Sequence, residues 1–305
     1  MKPYIRAVAL LICTAVLWLL ILYSDAVRAC VTEALGLCAR SVIPALFPFM
    51  AASSVMTALG LGELLSGPFG NFMSLWHMDG AAASALIMGF VGGYPTGART
   101  AAELYRDRLL TREETERLLT FCNNANPVFL IAVLGEGIFG DLRTGMWLWL
   151  IHVAAALLTG LLLGRGSRRS THARRSVPPV FLAASLPSAF VDGVRSALTD
   201  TLNVCAFVVI FSLAALPLRA VGGTAGAMLT GALELFSALP RLPADRAGFV
   251  LAAGLAGWGS VSVLCQTAVI LRAEGLSAAP CLRGKAVHGL LSALLAAMLA
   301  GYVIG

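Results

Sequence analysis

From residue 7 to residue 23 the chain carries no charged side chain. That run is long enough to cross a bilayer as one helix, for which about 17–25 apolar residues suffice. Comparable runs recur near 42–60, 118–135 and 146–164, and again near 205–218 and 285–304. The bulk composition agrees: apolar residues make up 58% and charged residues 12%, against about 45–50% and about 25% in soluble domains. Such a chain has too little polar surface to cover a water-exposed globule. The expected fold class is all-α, a polytopic membrane protein surrounded by the lipid bilayer.

Charge placement sets the expected orientation. Lys2 and Arg6 precede the first run, which puts the N-terminus in the cytoplasm. A secretory leader is the alternative reading. No small-x-small cleavage site follows cleanly, and Arg28 spoils the stretch 27–30 as a lipidation site. Arg165, Arg168, Arg169, Arg174 and Arg175 form the strongest basic loop and are expected in the cytoplasm too. An even number of crossings then separates them. The net charge of +6 lies at segment ends, without the basic face and interleaved aromatics of a nucleic-acid binder. The cysteines lie mostly in apolar runs without a C-x-x-C pair and read as small buried hydrophobes.

Between the runs lie two kinds of exception. The first is amphipathic: in 25–40, Val27, Cys30, Val31, Ala34, Leu35 and Cys38 recur at helical spacing, so this stretch is expected to lie flat in the membrane interface. The stretch 188–203 repeats the pattern with Phe190, Val191, Val194, Ala197, Leu198 and Leu202. The second is a break. The short apolar stretch 81–91 runs into Gly92-Gly93-Tyr94-Pro95-Thr96-Gly97, and a later helix, opened by a Thr111/Glu114 capping box, meets Cys122-Asn123-Asn124-Ala125-Asn126-Pro127. Non-helical backbone at membrane depth is tolerated only inside protein or along a cavity. Re-entrant or broken helices are therefore expected here.

The second half replays the order of the first. Gly89-Phe90-Val91-Gly92-Gly93-Tyr94 aligns with Gly254-Leu255-Ala256-Gly257-Trp258-Gly259, a charged link follows in each, and a terminal span closes each copy. Three crossings in the first unit make the two repeats inverted. Glycine-interrupted segments at matching places in two halves point to a transport site near the bilayer midplane.

Such breaks aim half-helix dipoles and free amides at whatever occupies them. In the first copy the exposed groups are expected to be Tyr94, Thr96, Gly97, Asn123, Asn124 and Asn126. In the second they are Ser260, Ser262, Gln266 and Thr267. Amides and hydroxyls suit a polar solute, since each donates or accepts; they also suit freed backbone groups inside a bundle. Arg99 offers a planar fork for a solute carboxylate, or snorkels to the cytoplasmic face. Glu234 lies in an apolar stretch, where an ionisable group is a functional hypothesis by default, here proton or ion coupling; an interfacial position would leave it solvated. His152 reads as a packed histidine. The four histidines share no metal-ligand spacing with cysteines or carboxylates, and no nucleophile elbow or phosphate loop is present. No enzyme, metal or cofactor is expected.

Gly92-Gly93-Tyr94-Pro95-Thr96-Gly97-Ala98-Arg99, followed by Phe121-Cys122-Asn123-Asn124-Ala125-Asn126-Pro127-Val128-Phe129, resembles the YlbJ-type sporulation integral membrane proteins of the nucleoside-recognition (gate) superfamily. The likeness continues through Val42–Phe49, Leu233-Glu234, Gly257–Gln266 and His288–Leu291. Arg99 stands where that family usually has lysine, and Val263-Leu264-Cys265-Gln266 where a histidine before an alanine-glutamine pair is common. The resemblance implies transport of dipicolinic acid across the outer forespore membrane during spore formation; relatives are linked to nucleoside and ferrous-iron transport.

The expected organisation is an N-terminal transmembrane helix (1–24), a first gate-like repeat (25–164), a cytoplasmic basic linker (165–187) and a second gate-like repeat (188–305), with about eight spanning segments. The expected function is alternating-access transport of a small anionic solute, dipicolinate or a similar dicarboxylate. A nucleoside or another small acid fits the same groups. A non-transporting gate or scaffold subunit, docked on a membrane-protein partner or in a homo-oligomer, is the reading from a different class.

Overall fold

The computed structural model describes residues 3–164 and 185–305, and every regular element among them is helical. The arginines of the basic linker, 165–175, lie outside the described residues. Six helices are long and apolar enough to cross a membrane, and two further apolar helices, Ala82–Gly92 and Phe129–Phe139, are shorter. The expected crossing at 118–135 is corrected: α7 (Arg112–Leu118) stops before the asparagine cluster, and helix resumes only at Pro127. The cause is local, because Pro127 has no amide to continue a helix and Asn123, Asn124 and Asn126 compete for backbone groups.

α1 (Pro3–Leu22) stands apart, with its apolar side chains exposed along its length. α2 (Ser24–Leu37) does not end where an interfacial helix should. It passes through a π-helical turn, Cys38–Val42, straight into α3 (Ile43–Ala58), making one run of 35 residues. Pro44 explains the turn: its ring would collide with the carbonyl of Arg40, and a local π widening makes room. α10 (Leu186–Ala215) likewise swallows its amphipathic stretch.

The helical periodicity was real, but its two faces point opposite ways. Cys30 and Ala34 of α2 and Cys38 of the π-helical turn are buried, as an apolar face should be. On α10 the large residues Phe190, Val191, Leu198 and Leu202 are exposed, while Ala189, Gly193, Ala197, Asp200 and Thr201 are buried. In a bilayer lipid is as apolar as leucine, so bulky side chains face it and small residues let helices approach. The two long runs pack together, α2 and α3 on α10.

α4 (Leu61–Gly70) leads to the hairpin of α5 (Ala82–Gly92) and α6 (Thr96–Arg106), whose alanine-rich faces form one core with Trp76, Leu118 and Phe121. α7 opens with the Thr111/Glu114 capping box. The π-helical segment Phe129–Glu136 and α8 (Gly137–Phe139) turn back onto α9 (Leu142–Gly164). In the second half, α11 (Gly223–Leu233) and α12 (Leu235–Ala238) precede α13 (Arg246–Trp258) and α14 (Ser260–Ala273). α15 (Ala279–Val303) packs between α13 and α9.

Candidate functional site

Four interruptions bring polar groups inward. The first separates α5 from α6: Gly93 has φ 78°, the Tyr94–Pro95 peptide is cis, and the Thr96 amide donates back to the Gly93 carbonyl at 2.8 Å. α6 leaves this turn against the asparagine segment, and a Cβ on Gly97 would collide with the Cys122 carbonyl oxygen. Only glycine allows that approach.

The asparagine segment is the second interruption, and its side chains do three different jobs. Asn126 Oδ1 accepts from the Phe129 amide at 2.7 Å and caps the next helix. Asn124 donates to the Phe121 carbonyl at 2.9 Å, and Asn123 donates across to Thr267 Oγ1 of α14 at 2.9 Å. The Ala125 amide donates to His152 Nε2 at 3.1 Å. The side-chain oxygens of Asn123 and Asn124 are buried without a partner.

The third interruption, at Gly259 (φ 82°), separates α13 from α14. Tyr94 reaches it from the first: its hydroxyl donates to the Ala256 carbonyl at 2.8 Å. A side chain on Gly259 would be strained at that φ and would crowd the Tyr94 ring. The fourth is Glu234 between α11 and α12, extended at φ −146° and ψ 115°. Its carboxylate is buried and accepts from the amides of Phe236 (3.1 Å) and Ser237 (2.5 Å). The solvated reading of Glu234 does not hold.

Tyr94, Asn126, Glu234, Ser262 and Gln266 line one internal cavity, with Leu46, Met50, Phe129, Val204 and Phe236 as its apolar wall. Its free space, about 40 Å³ measured to water centres, holds a few waters at most. Behind Glu234, Ser237 and Ser212 face each other at 2.5 Å between their hydroxyls. Both also floor an open cleft edged by Asp25, Arg28, Glu33, Arg40 and Arg219. Ser237 thus donates its amide to Glu234 of the cavity wall and also borders the charged cleft.

The other sequence-derived residues lie nearby but off the cavity wall. Thr96 and Gly97 pack at the α5–α6 turn, Ser260 is buried at the start of α14, and Asn123 and Asn124 are engaged as above. Arg99 is not open to a solute in this state. Its fork holds Asp200 of α10, with Nη2–Oδ1 at 2.6 Å and Nη1–Oδ2 at 3.1 Å.

Three buried groups escaped sequence reasoning. Asp200 is one; its partner lies 101 residues away. Lys285 of α15 is another, with Nζ 3.5 Å from the Tyr94 hydroxyl and 4.6 Å from its ring centroid. The third is the pairing of His152 with His288, whose rings lie 4.4 Å apart while the His288 Nε2–H donates to the His152 carbonyl at 3.0 Å. Cys281, Lys285, His288 and Ser292 all fall on one buried stripe of α15. Polar residues at i, i+4, i+7 and i+11 in an apolar helix are a readable signal of such a stripe.

Residues 39–141 match the family model described as Gate, nucleoside recognition. That span contains the α5–α6 turn and the asparagine segment. Over 189 residues the chain is 28% identical to the sporulation integral membrane protein YlbJ of Bacillus subtilis (strain 168), a match covering 56% of this chain and 46% of that protein. The matched region is thus under half the length of that relative. No solved structure matches the chain.

Proposed function

We propose, from the Gate-type segment and the likeness to a sporulation membrane protein, that the chain is a membrane transporter of a small anionic solute, dipicolinate first. It works by alternating access around the cavity where the interruptions of the two halves converge. The observation that carries this reading is the docking of Tyr94, from the first interruption, onto Ala256 and Gly259 at the third, beside a cavity lined from both halves. Discontinuous helices meeting from two repeats are how many carriers build a midplane site.

In this state the cavity is too small for an aromatic dicarboxylate, so the structure corresponds to a closed carrier. Parting of Ser212 and Ser237 opens the cavity to the charged cleft. Glu234 lies at that boundary and couples entry to a proton, because an ionised carboxylate on the wall repels an anion and a protonated one does not. The titratable groups near Glu234 are Tyr94, which lines the same cavity, and Cys38 of the π-helical turn; none of the ion pairs among the described residues includes it. Asn126, Ser262 and Gln266 supply hydrogen bonds to the solute, and Thr96, Gly97, Asn123, Asn124 and Ser260 hold the two junctions in register. On this reading the N-terminus is cytoplasmic and the membrane is the outer forespore membrane.

The test is uptake of labelled dipicolinate by the purified full-length chain in liposomes. Uptake well above empty liposomes, abolished in Asn126→Ala and Gln266→Ala, is the expected result. No uptake by folded protein rejects the proposal. The description of the matching family favours a second reading, a nucleoside as solute, which competition by unlabelled nucleosides would reveal. The fully exposed α1 favours a third, a docking subunit; there the chain would capture a membrane partner and move nothing.

A further inference from the structure

Lys285 is the one lysine or arginine on the buried stripe of α15, and it is 3% exposed. None of the ion pairs among the described residues includes it. No carboxylate is among its neighbours, which are the Tyr94 hydroxyl and ring, the thiols of Cys122 and Cys281, and the imidazoles of His152 and His288. Arg99 offers the contrast, since its charge is already matched by Asp200. A buried ammonium without a counter-ion is unfavourable and is normally compensated. Within a membrane protein, such a group marks a substrate or ion site.

Tyr94 connects this charge to the cavity. Its ring forms part of the cavity wall, and the ammonium lies against the ring and the hydroxyl. The hydroxyl hydrogen is committed to the Ala256 carbonyl, so the phenol oxygen is left to accept from Nζ. A positive charge against a residue of the cavity wall, within protein that screens it weakly, acts strongly on an anion there. Rotation of Tyr94 would bring the two into contact.

We propose that Lys285 is the counter-charge that makes the cavity select anions, with Tyr94 as the mobile screen between ammonium and solute carboxylate. This rests on the transporter reading above and moves the role of carboxylate partner from Arg99 to Lys285.

The test compares dipicolinate with its neutral diamide, by calorimetric binding to the full-length purified chain. The wild type is expected to prefer the dicarboxylate by at least about tenfold. Lys285→Met should lose that preference while holding the diamide unchanged, and Lys285→Arg should keep most of it. Dicarboxylate preference that survives in Lys285→Met overturns the inference and leaves the transporter reading intact. Should Lys285→Met bind neither compound, Lys285→Arg decides: retained preference supports the inference and lost preference overturns it. A wild type that binds neither compound rejects dipicolinate transport itself, and this inference with it.

Discussion

The Arg99–Asp200 fork gives the sharpest energetic test, because it ties α6 of the first half to α10 of the second through two parallel bonds. The Asp200 side chain is 10% exposed and that of Arg99 is 35% exposed. Exposed ion pairs contribute about 0–1 kcal/mol, and breaking a buried one costs about 3–5 kcal/mol. With one partner a third open to solvent, about 2 kcal/mol per single truncation is expected. That is a change of about 30-fold in the folding equilibrium.

Arg99→Ala and Asp200→Ala each strand the other charge, whereas the double variant strands neither. The double variant should therefore lose about as much as one single change, leaving a coupling energy of about 1.5–2 kcal/mol. Unfolding of the detergent-solubilised chain by added dodecyl sulfate, followed by tryptophan emission, measures all four corners of the cycle. Losses that simply add, with coupling under about 0.5 kcal/mol, would refute the reasoning. Asp200→Asn separates the two roles of Arg99. A structural fork predicts unchanged dipicolinate affinity, and a solute ligand held in reserve predicts tighter binding once the guanidinium is released.

Gly97→Ala places a methyl group against the Cys122 carbonyl oxygen and should destabilise by about 1–3 kcal/mol in the same unfolding curves; an unchanged midpoint would mean that α6 and the asparagine segment do not approach so closely. Glu234→Gln should abolish the rise in uptake expected on acidifying the side from which solute enters, and a variant with the wild-type pH profile would remove Glu234 as the coupling group. Asp141 caps α9 from outside the membrane, accepting from the amides of Arg143 and Thr144, at 3.0 Å each, and from the Thr144 hydroxyl at 2.9 Å. These bonds, the Arg143 amide first, hold its carboxyl below the usual carboxylate range. A depressed folded value makes the cap fully effective at neutral pH and lost as pH falls below about 4; amide exchange at Thr144 should therefore rise at low pH, relative to an unstructured peptide, in the wild type and not in Asp141→Asn.

Local rules carried much of the fold. Glycine and proline density located the α5–α6 turn, the Asn-Asn-x-Asn-Pro run located the gap before Pro127, and the capping box located α7. These signals are confined to a few adjacent residues. The failures share the opposite property. Periodicity found both faces of 25–40 and 188–203 but not which face α10 would bury, because in lipid the apolar face is as well accommodated outside as inside. Arg99 reads as a solute fork or a snorkelling cation, and neither reading finds Asp200, which lies 101 residues away. Lys285 stands at the edge of an apolar run, where a lysine ordinarily snorkels to the interface; only the packing of α15 between α9 and α13 shows that it cannot.

The buried charges explain why Glu234 and Lys285 belong to one device under the proposed mechanism. With Arg99 and Asp200 cancelling each other, Glu234 remains on the cavity wall and Lys285 against Tyr94, which lines the same cavity. An empty carrier with Glu234 ionised and Lys285 charged is neutral there. Adding an anion alone would make the region negative at low dielectric, which is costly. A proton on Glu234 offsets one negative charge of the solute and leaves Lys285 free to pair with it. A dicarboxylate brings a second charge, which falls to the N-termini of α6 and α14, the two helices that begin at the converging interruptions. Removing Glu234's charge should then favour loading at any pH, whereas removing that of Lys285 should disfavour it at every pH. Opposite effects from one residue on the cavity wall and one against the tyrosine that lines it follow from a shared cavity and from nothing in either residue alone.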